Sequence, residues 1–304
     1  MRPDLQPSRR FAPSTRRYRL AFLLLFILHP SSLILSQSPV LRIETGMHTA
    51  IIRRVGVDAA GKFLVTASQD KTARVWDITT GELLRVLRPP LGAGYEGRLN
   101  SAAISPDGST VAVGGWTSPD GLNTDIYLFD RASGRLVRRL GGLPIVVFYL
   151  VFSPDGKYLA VTFFGGKGIR VYETGGWQQI GADADSGGDS YGADFDRSGR
   201  LVTSCFDGFI RLYAVGQSGL RRLAKKKTSG GKQPFAVKFS PDGGKIAVGF
   251  ADSTNVNVLS AADLSLQFAP DTSGMNNGGL NSVAWSVTGD VLYAGGHTKR
   301  AAIF

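Results

Sequence analysis

From residue 40 onward the chain alternates short apolar runs with clusters of turn residues, and nowhere there does a long helical periodicity appear. Phe152 to Val161, Phe-Ser-Pro-Asp-Gly-Lys-Tyr-Leu-Ala-Val, shows the unit. One strand ends at Phe152 and the next begins at Tyr158. Between them, Pro154 presets φ for the first central position of a type I turn, Asp155 suits the second, and Gly156 supplies the positive φ that closes it. The same turn returns as Ser105-Pro106-Asp107-Gly108 and Ser240-Pro241-Asp242-Gly243. Looser copies stand at Asp58 to Gly61, Asp196 to Gly199 and Ser286 to Gly289.

The closing glycines fall at 61, 108, 156, 199, 243 and 289, so the repeat is in the forties. A period of that length built from short strands predicts a β-propeller, one four-stranded antiparallel blade per repeat. The fold class is therefore all-β. Inner strands such as Leu159-Ala160-Val161 are continuously apolar because neighbouring blades cover both faces. Outer strands such as Arg135 to Arg139 carry charge. Repeat two is expected to hold an insert from Trp116 to Thr124 between its second and third strands. Repeat six lacks a fourth strand, and Val40 to Ile43 has no blade of its own. The economical arrangement is six blades, with the N-terminal strand completing the last and removing its open edge. The alternative is an incomplete ring of seven or eight.

Repeat one ends its third strand with Val75-Trp76-Asp77, with His48 upstream and Asp70 in the turn after Ser68. This set resembles the WD-repeat family. The resemblance covers residues 40–304, full in repeat one and degenerate in repeats four to six. It implies that His48, Ser68, Asp70 and Trp76 form a buried hydrogen-bonded relay whose role is structural. The chain also resembles the propeller region of bacterial proteins that add a caspase-type peptidase domain; with no Cys-His pair in a recognisable context, any peptidase role is expected to come from another polypeptide. The family likeness implies a non-catalytic scaffold or sensor that binds a protein partner, with service to a separate caspase-type peptidase as the alternative, and a hydrolase or lyase using loop Asp and His residues in the central channel as a further one.

Residues 1–38 form a separate region. Six arginines against Asp4 give it +5, leaving +6 of the total +11 for the propeller region. A basic stretch through Arg16, Arg17 and Arg19 precedes nine apolar residues, Leu20 to Leu28, and His29-Pro30-Ser31-Ser32 interrupts them. That is the form of a secretory signal, or of an anchor through residues 16–35 if uncleaved. Its run is short of the roughly 20 residues a spanning helix needs. Export to the periplasm or cell surface is the expectation.

Chemistry is sparse. The three histidines show no metal spacing, and no cofactor motif is present. Gly188-Asp189-Ser190-Tyr191-Gly192 matches a nucleophile pattern but leads into a strand, without the strand–turn–helix context the motif needs. Cys205 reads as a small buried hydrophobe. Asp183, Asp185 and Asp189 offer hard oxygen ligands without a complete calcium loop. A basic run through Arg221, Arg222, Lys225, Lys226, Lys227 and Lys232 has no interleaved aromatics, which argues against nucleic acid. Tyr95, Arg98, Trp116 and Lys225 to Lys227 are expected on one loop-bearing face, as candidates for contact with a protein partner.

Overall fold

The computed structural model describes residues 45–275, 278–297 and 302–303. All regular structure among them is strand, in six antiparallel sheets. The first holds β1 to β4: Ile52–Val57, Phe63–Ser68, Ala73–Asp77 and Leu83–Leu87. The second holds β5 to β8: Arg98–Ile104, Thr110–Trp116, Leu122–Asp130 and Leu136–Ile145. The third holds β9 to β12: Val147–Phe152, Tyr158–Phe163, Ile169–Glu173 and Gln179–Asp183. The fourth holds β13 to β16: Ser190–Phe195, Arg200–Cys205, Phe209–Gly216 and Gly219–Lys227. The fifth holds β17 to β20: Pro234–Phe239, Lys245–Phe250, Val256–Ser260 and Leu266–Phe268. The last has three strands, β21 to β23: Ser282–Trp285, Leu292–Gly295 and Ala302–Ile303. This is the multi-blade propeller architecture that the period predicts. Val40 to Ile43, expected to complete the last sheet, lies outside the described residues.

The turns set the register. In each of the six, the closing glycine donates its N–H to the carbonyl three residues earlier, as from Gly156 to Ser153 at 2.9 Å. Gly156 has φ +73°, where a Cβ would be strained. Asp155 accepts from the Ser153 hydroxyl (2.7 Å) and from Lys157 N (3.1 Å), so the side chains brace the same turn. The insert in repeat two is shorter than expected, running only over 117–121. Leu122 onward instead extends β7, which pairs with a lengthened β8 as far as Ile145. Backbone groups that would need water in a loop are thus satisfied by a ladder.

Consecutive sheets pack face to face through apolar clusters. Sheets one and two share Val65, Ala67, Val75, Ala102, Ile104 and Val113; sheets four and five share Val202, Leu212, Val237, Phe239 and Val248. The first strands β1, β5, β9, β13, β17 and β21 together line one central cavity of about 670 Å³.

The recurring turns let positions be compared between sheets. Six residues before each closing glycine stand Val55, Ala102, Leu150, Ala193, Val237 and Val283. The last five pack against the preceding sheet and are 1–7% exposed, whereas Val55 is 59% exposed. Val57, two residues on, is also half in solvent at 51%. At the other end, Tyr293 of β22 is 44% exposed, although its counterparts Val65, Ala112, Ala160, Val202 and Ala247 are buried against the following sheet. Val55 and Val57 of β1 and Tyr293 of β22 are therefore apolar side chains left in solvent at positions covered in the other sheets.

Candidate functional site

The relay residues of repeat one meet, with one substitution. Trp76 Nε1 donates to Thr66 Oγ1 (3.0 Å), and Thr66 Oγ1 lies 2.7 Å from His48 Nε2. His48 Nδ1 is 2.8 Å from Asp70 Oδ2. With the ring proton on Nδ1, each donor finds one acceptor along Trp76, Thr66, His48 and Asp70. The central hydroxyl is thus Thr66 and not Ser68. Both side chains point to one face of β2, because strand side chains alternate with period two. Thr66 lies one step deeper in the blade, beside the indole. Ser68 sits at the turn, where it donates to Ala50 O and accepts from Asp70 N, both at 3.1 Å. Burial alone would raise the Asp70 carboxyl; hydrogen bonds from Thr72, His48 and Thr49 N hold it below its ordinary value. The network satisfies buried polar groups and exposes no reactive atom.

The candidate contact residues fall into two clusters at one end of the sheets. The Tyr95 and Trp116 rings pack tilted at 5.5 Å, and the Arg98 guanidinium lies 4.4 Å from the Tyr95 ring centre. Trp116 is half-buried against its own repeat, and a Cβ on Gly121 would come within 2.7 Å of its ring. Tyr95 is the exposed member. In the second cluster, Lys225 Nζ donates to both Asp185 oxygens (2.9 and 2.8 Å) and lies over Phe209, while Arg222 reaches Asp183 and Asp185. Lys225 and Arg222 hold the Asp185 carboxyl below the usual carboxylate range. Asp183 also accepts from Tyr213 OH (3.0 Å), and Asp189 from Gly165 N (2.8 Å). These aspartates are engaged by their own chain. Lys226 and Lys227 are exposed.

Sequence reading missed a third group, whose members precede the cavity-lining Tyr149, Gly192 and Ala236. Eight residues before the closing glycine, repeats three, four and five carry Phe148, Tyr191 and Phe235. These positions open the first strands and are brought side by side: Tyr191 stacks on Phe148 at 4.4 Å and on Phe235 at 4.5 Å. Phe164 and Phe206, which follow the second strands, extend the band against Phe148 and Tyr191. Antiparallel pairing puts both strand ends on the same edge, as the Phe206 N to Asp189 O bond shows. The five rings form one continuous band, partly in solvent. Alignment of the repeats on their glycines is the signal that finds it.

Just inside the band lies Arg54, one residue deeper in β1. Its guanidinium is 4.4 Å from the Tyr149 ring centre and 5.6 Å from that of Phe235, and Nη2 is 3.5 Å from Tyr191 O. Burial pushes its pKa below the ordinary value; the nearby Tyr149 and Tyr191 work the other way. Further along the cavity, Lys238 pairs with Asp194 at 2.7 Å. Burial would lower the Lys238 ammonium, but the Asp194 carboxylate raises it overall.

The nucleophile-like residues show no catalytic arrangement. Ser190 is buried at the start of β13, with Ser186 Oγ at 3.3 Å. Cys205 is buried, its Sγ 3.0 Å from Ser186 Oγ and 3.3 Å from Gly188 O. Among the described residues no group of three or more His, Cys, Asp or Glu converges as metal ligands, and no helix is long and apolar enough to cross a membrane.

Residues 41–77 match the family described as WD domain, G-beta repeat. Parts of the chain are similar to WD-repeat relatives. Over 114 residues it is 30% identical to Periodic tryptophan protein 2 homolog of Schizosaccharomyces pombe, covering 37% of this chain and 12% of that protein. Over 96 residues it is 32% identical to the Small ribosomal subunit protein RACK1y of Oryza sativa subsp. japonica, covering 32% and 25%. Over 119 residues it is 29% identical to the Guanine nucleotide-binding protein subunit beta of Zea mays, covering 39% and 30%. The chain thus spans less than a third of the length of each of these relatives.

Proposed function

We propose that this propeller is a non-catalytic platform that binds a protein partner across the aromatic mouth of its central cavity. The observation that carries the reading is the band of Phe164, Phe148, Tyr191, Phe235 and Phe206 on a rigid sheet edge. Aromatic side chains bring large contact area at low cost in conformational entropy and dominate interface energetics. The similarity to WD-repeat proteins supports the same reading. Tyr95, with Arg98 and Trp116 behind it, and the exposed Lys226 and Lys227 add contacts at the same end. The Arg16 to Leu35 segment, basic and then apolar, supports delivery of the platform to or across a membrane. The propeller regions of caspase-linked proteins, which the chain resembles, make a separate peptidase one partner class.

The test is selection of peptides from a displayed random library on the folded protein, followed by titration on variants. Peptides bound at the mouth lose about tenfold or more in affinity with Tyr191→Ala or Phe235→Ala, the loss of a central aromatic anchor. They keep their affinity with Leu266→Ala on the outer strand β20. A library that yields binders indifferent to both aromatic changes refutes the assignment.

A further inference from the structure

We infer that Arg54 makes the central cavity a receptor for a carboxylate, carried into the aromatic mouth by a bound peptide or small acid. The inference rests on the platform reading and names the chemistry its site selects.

The position of Arg54 is unusual within its own repeat series. Seven residues before the closing glycine, the other five repeats place Ser101, Tyr149, Gly192, Ala236 and Ser282. Only repeat one puts a cation there. It reaches across the cavity towards the third, fourth and fifth sheets, touching Tyr149, Tyr191 and Phe235. A guanidinium carries five N–H donors in a rigid fork. Here Nη2 makes one long hydrogen bond to Tyr191 O, while Nε is buried and has no hydrogen-bond partner among the described residues. A buried donor without an acceptor is costly, so an arriving acceptor gains more than the same contact would in water.

The charges around it select the sign. Arg53, its neighbour in β1, is a further cation in the cavity lining. Lys238 also lines the cavity, and its partner Asp194 is engaged twice, by Lys238 Nζ at 2.7 Å and by Phe239 N at 2.9 Å. Asp189 lies by Tyr191 at the mouth and accepts from Gly165 N. Among the described residues Arg54 therefore has no carboxylate beside it. A second cation on the Tyr149 and Phe235 rings would meet this charge and be repelled. An anion is attracted, and a planar carboxylate matches the fork in two parallel hydrogen bonds. The walls beside it, Tyr149, Val151 and Ala236, and the Phe235 ring 5.6 Å from the guanidinium, suit an aromatic or apolar neighbour to that carboxylate.

The experiment uses the whole chain and matched probes, followed by calorimetry or protein-observed NMR. The small-acid arm is benzoate against benzamide. The side-chain arm is acetyl-Phe-Glu-Phe-amide against its Gln counterpart, and the chain-terminus arm is acetyl-Phe-Phe with a free carboxylate against the amide. At least one carboxylate is expected to bind about tenfold tighter than its neutral partner, a preference that Arg54→Gln abolishes and Arg54→Lys keeps only in part. The pair that shows the preference names the source. Native-like amide spectra of Arg54→Gln confirm that the variant is folded. Equal binding of every pair, or a preference that survives Arg54→Gln, overturns the inference. If library peptides then still depend on Tyr191, the platform reading stands without it; if none does, the platform reading falls on its own test.

Discussion

Replacing Thr66 by Val tests the relay at its centre. The change keeps the branched shape and removes one hydroxyl, so no cavity of note is made. It strips the Trp76 indole N–H of its acceptor at 3.0 Å and His48 Nε2 of its donor at 2.7 Å. His48 is almost wholly buried, its side chain 3% exposed, and water does not replace that donor. Trp76 is half-buried, so part of its loss is recovered from solvent. A buried polar group left unpaired costs about 1–3 kcal/mol, which puts Thr66→Val at about 2 kcal/mol. Ser68→Ala removes a buried hydroxyl that meets Ala50 O and Asp70 N; Ala50 is exposed and Asp70 part-exposed, so these two backbone groups regain water, and the change is expected to cost about 1 kcal/mol. Urea unfolding followed by circular dichroism measures both, with the slope m unchanged if only the folded state is affected. A Thr66→Val protein within about 0.5 kcal/mol of wild type, or a Ser68→Ala protein that is the less stable of the two, refutes Thr66 as the central hydroxyl.

Two further outcomes follow from burial and charge. Val237→Ala is expected to cost about 2 kcal/mol, because Val237 is buried against the fourth sheet, while Val55→Ala at the matching position costs less than about 0.5 kcal/mol; equal losses in urea unfolding would mean that Val55 is covered in solution. Burial alone would raise the Asp207 carboxyl, but hydrogen bonds from Arg211, Gly187 N and Phe209 N bring it down to about 2, from 3.8. A depressed folded pKa gives stability that is present above pH 3.8 and lost as pH falls towards 2, so Asp207→Asn flattens that part of the acid limb by up to about 2 kcal/mol in stability measured against pH; an unchanged limb would count against the pairing.

Contiguous residues determined a great deal here. The strands follow from short apolar runs bounded by turn residues, the six turns from glycines and aspartates whose backbone preferences act within four residues, and the propeller from their spacing. His48, Asp70 and Trp76 were legible because they stand in a recognisable frame around one blade. What tertiary structure decided lies in distances between residues one or more repeats apart. It chose Thr66 over Ser68, since both lie on one strand face and only depth within the blade separates them. It tied Lys225 to Asp185, 40 residues away in sequence, turning an expected partner contact into an internal ion pair. It gathered Phe148, Tyr191 and Phe235, each unremarkable in its own strand, into one band at the mouth of the cavity, and set Arg54 beneath them. It also left Val55, Val57 and Tyr293 in solvent at positions that are buried in the neighbouring repeats. Nothing local distinguishes those residues from their buried counterparts, because burial of an inner strand depends on which sheet lies beside it.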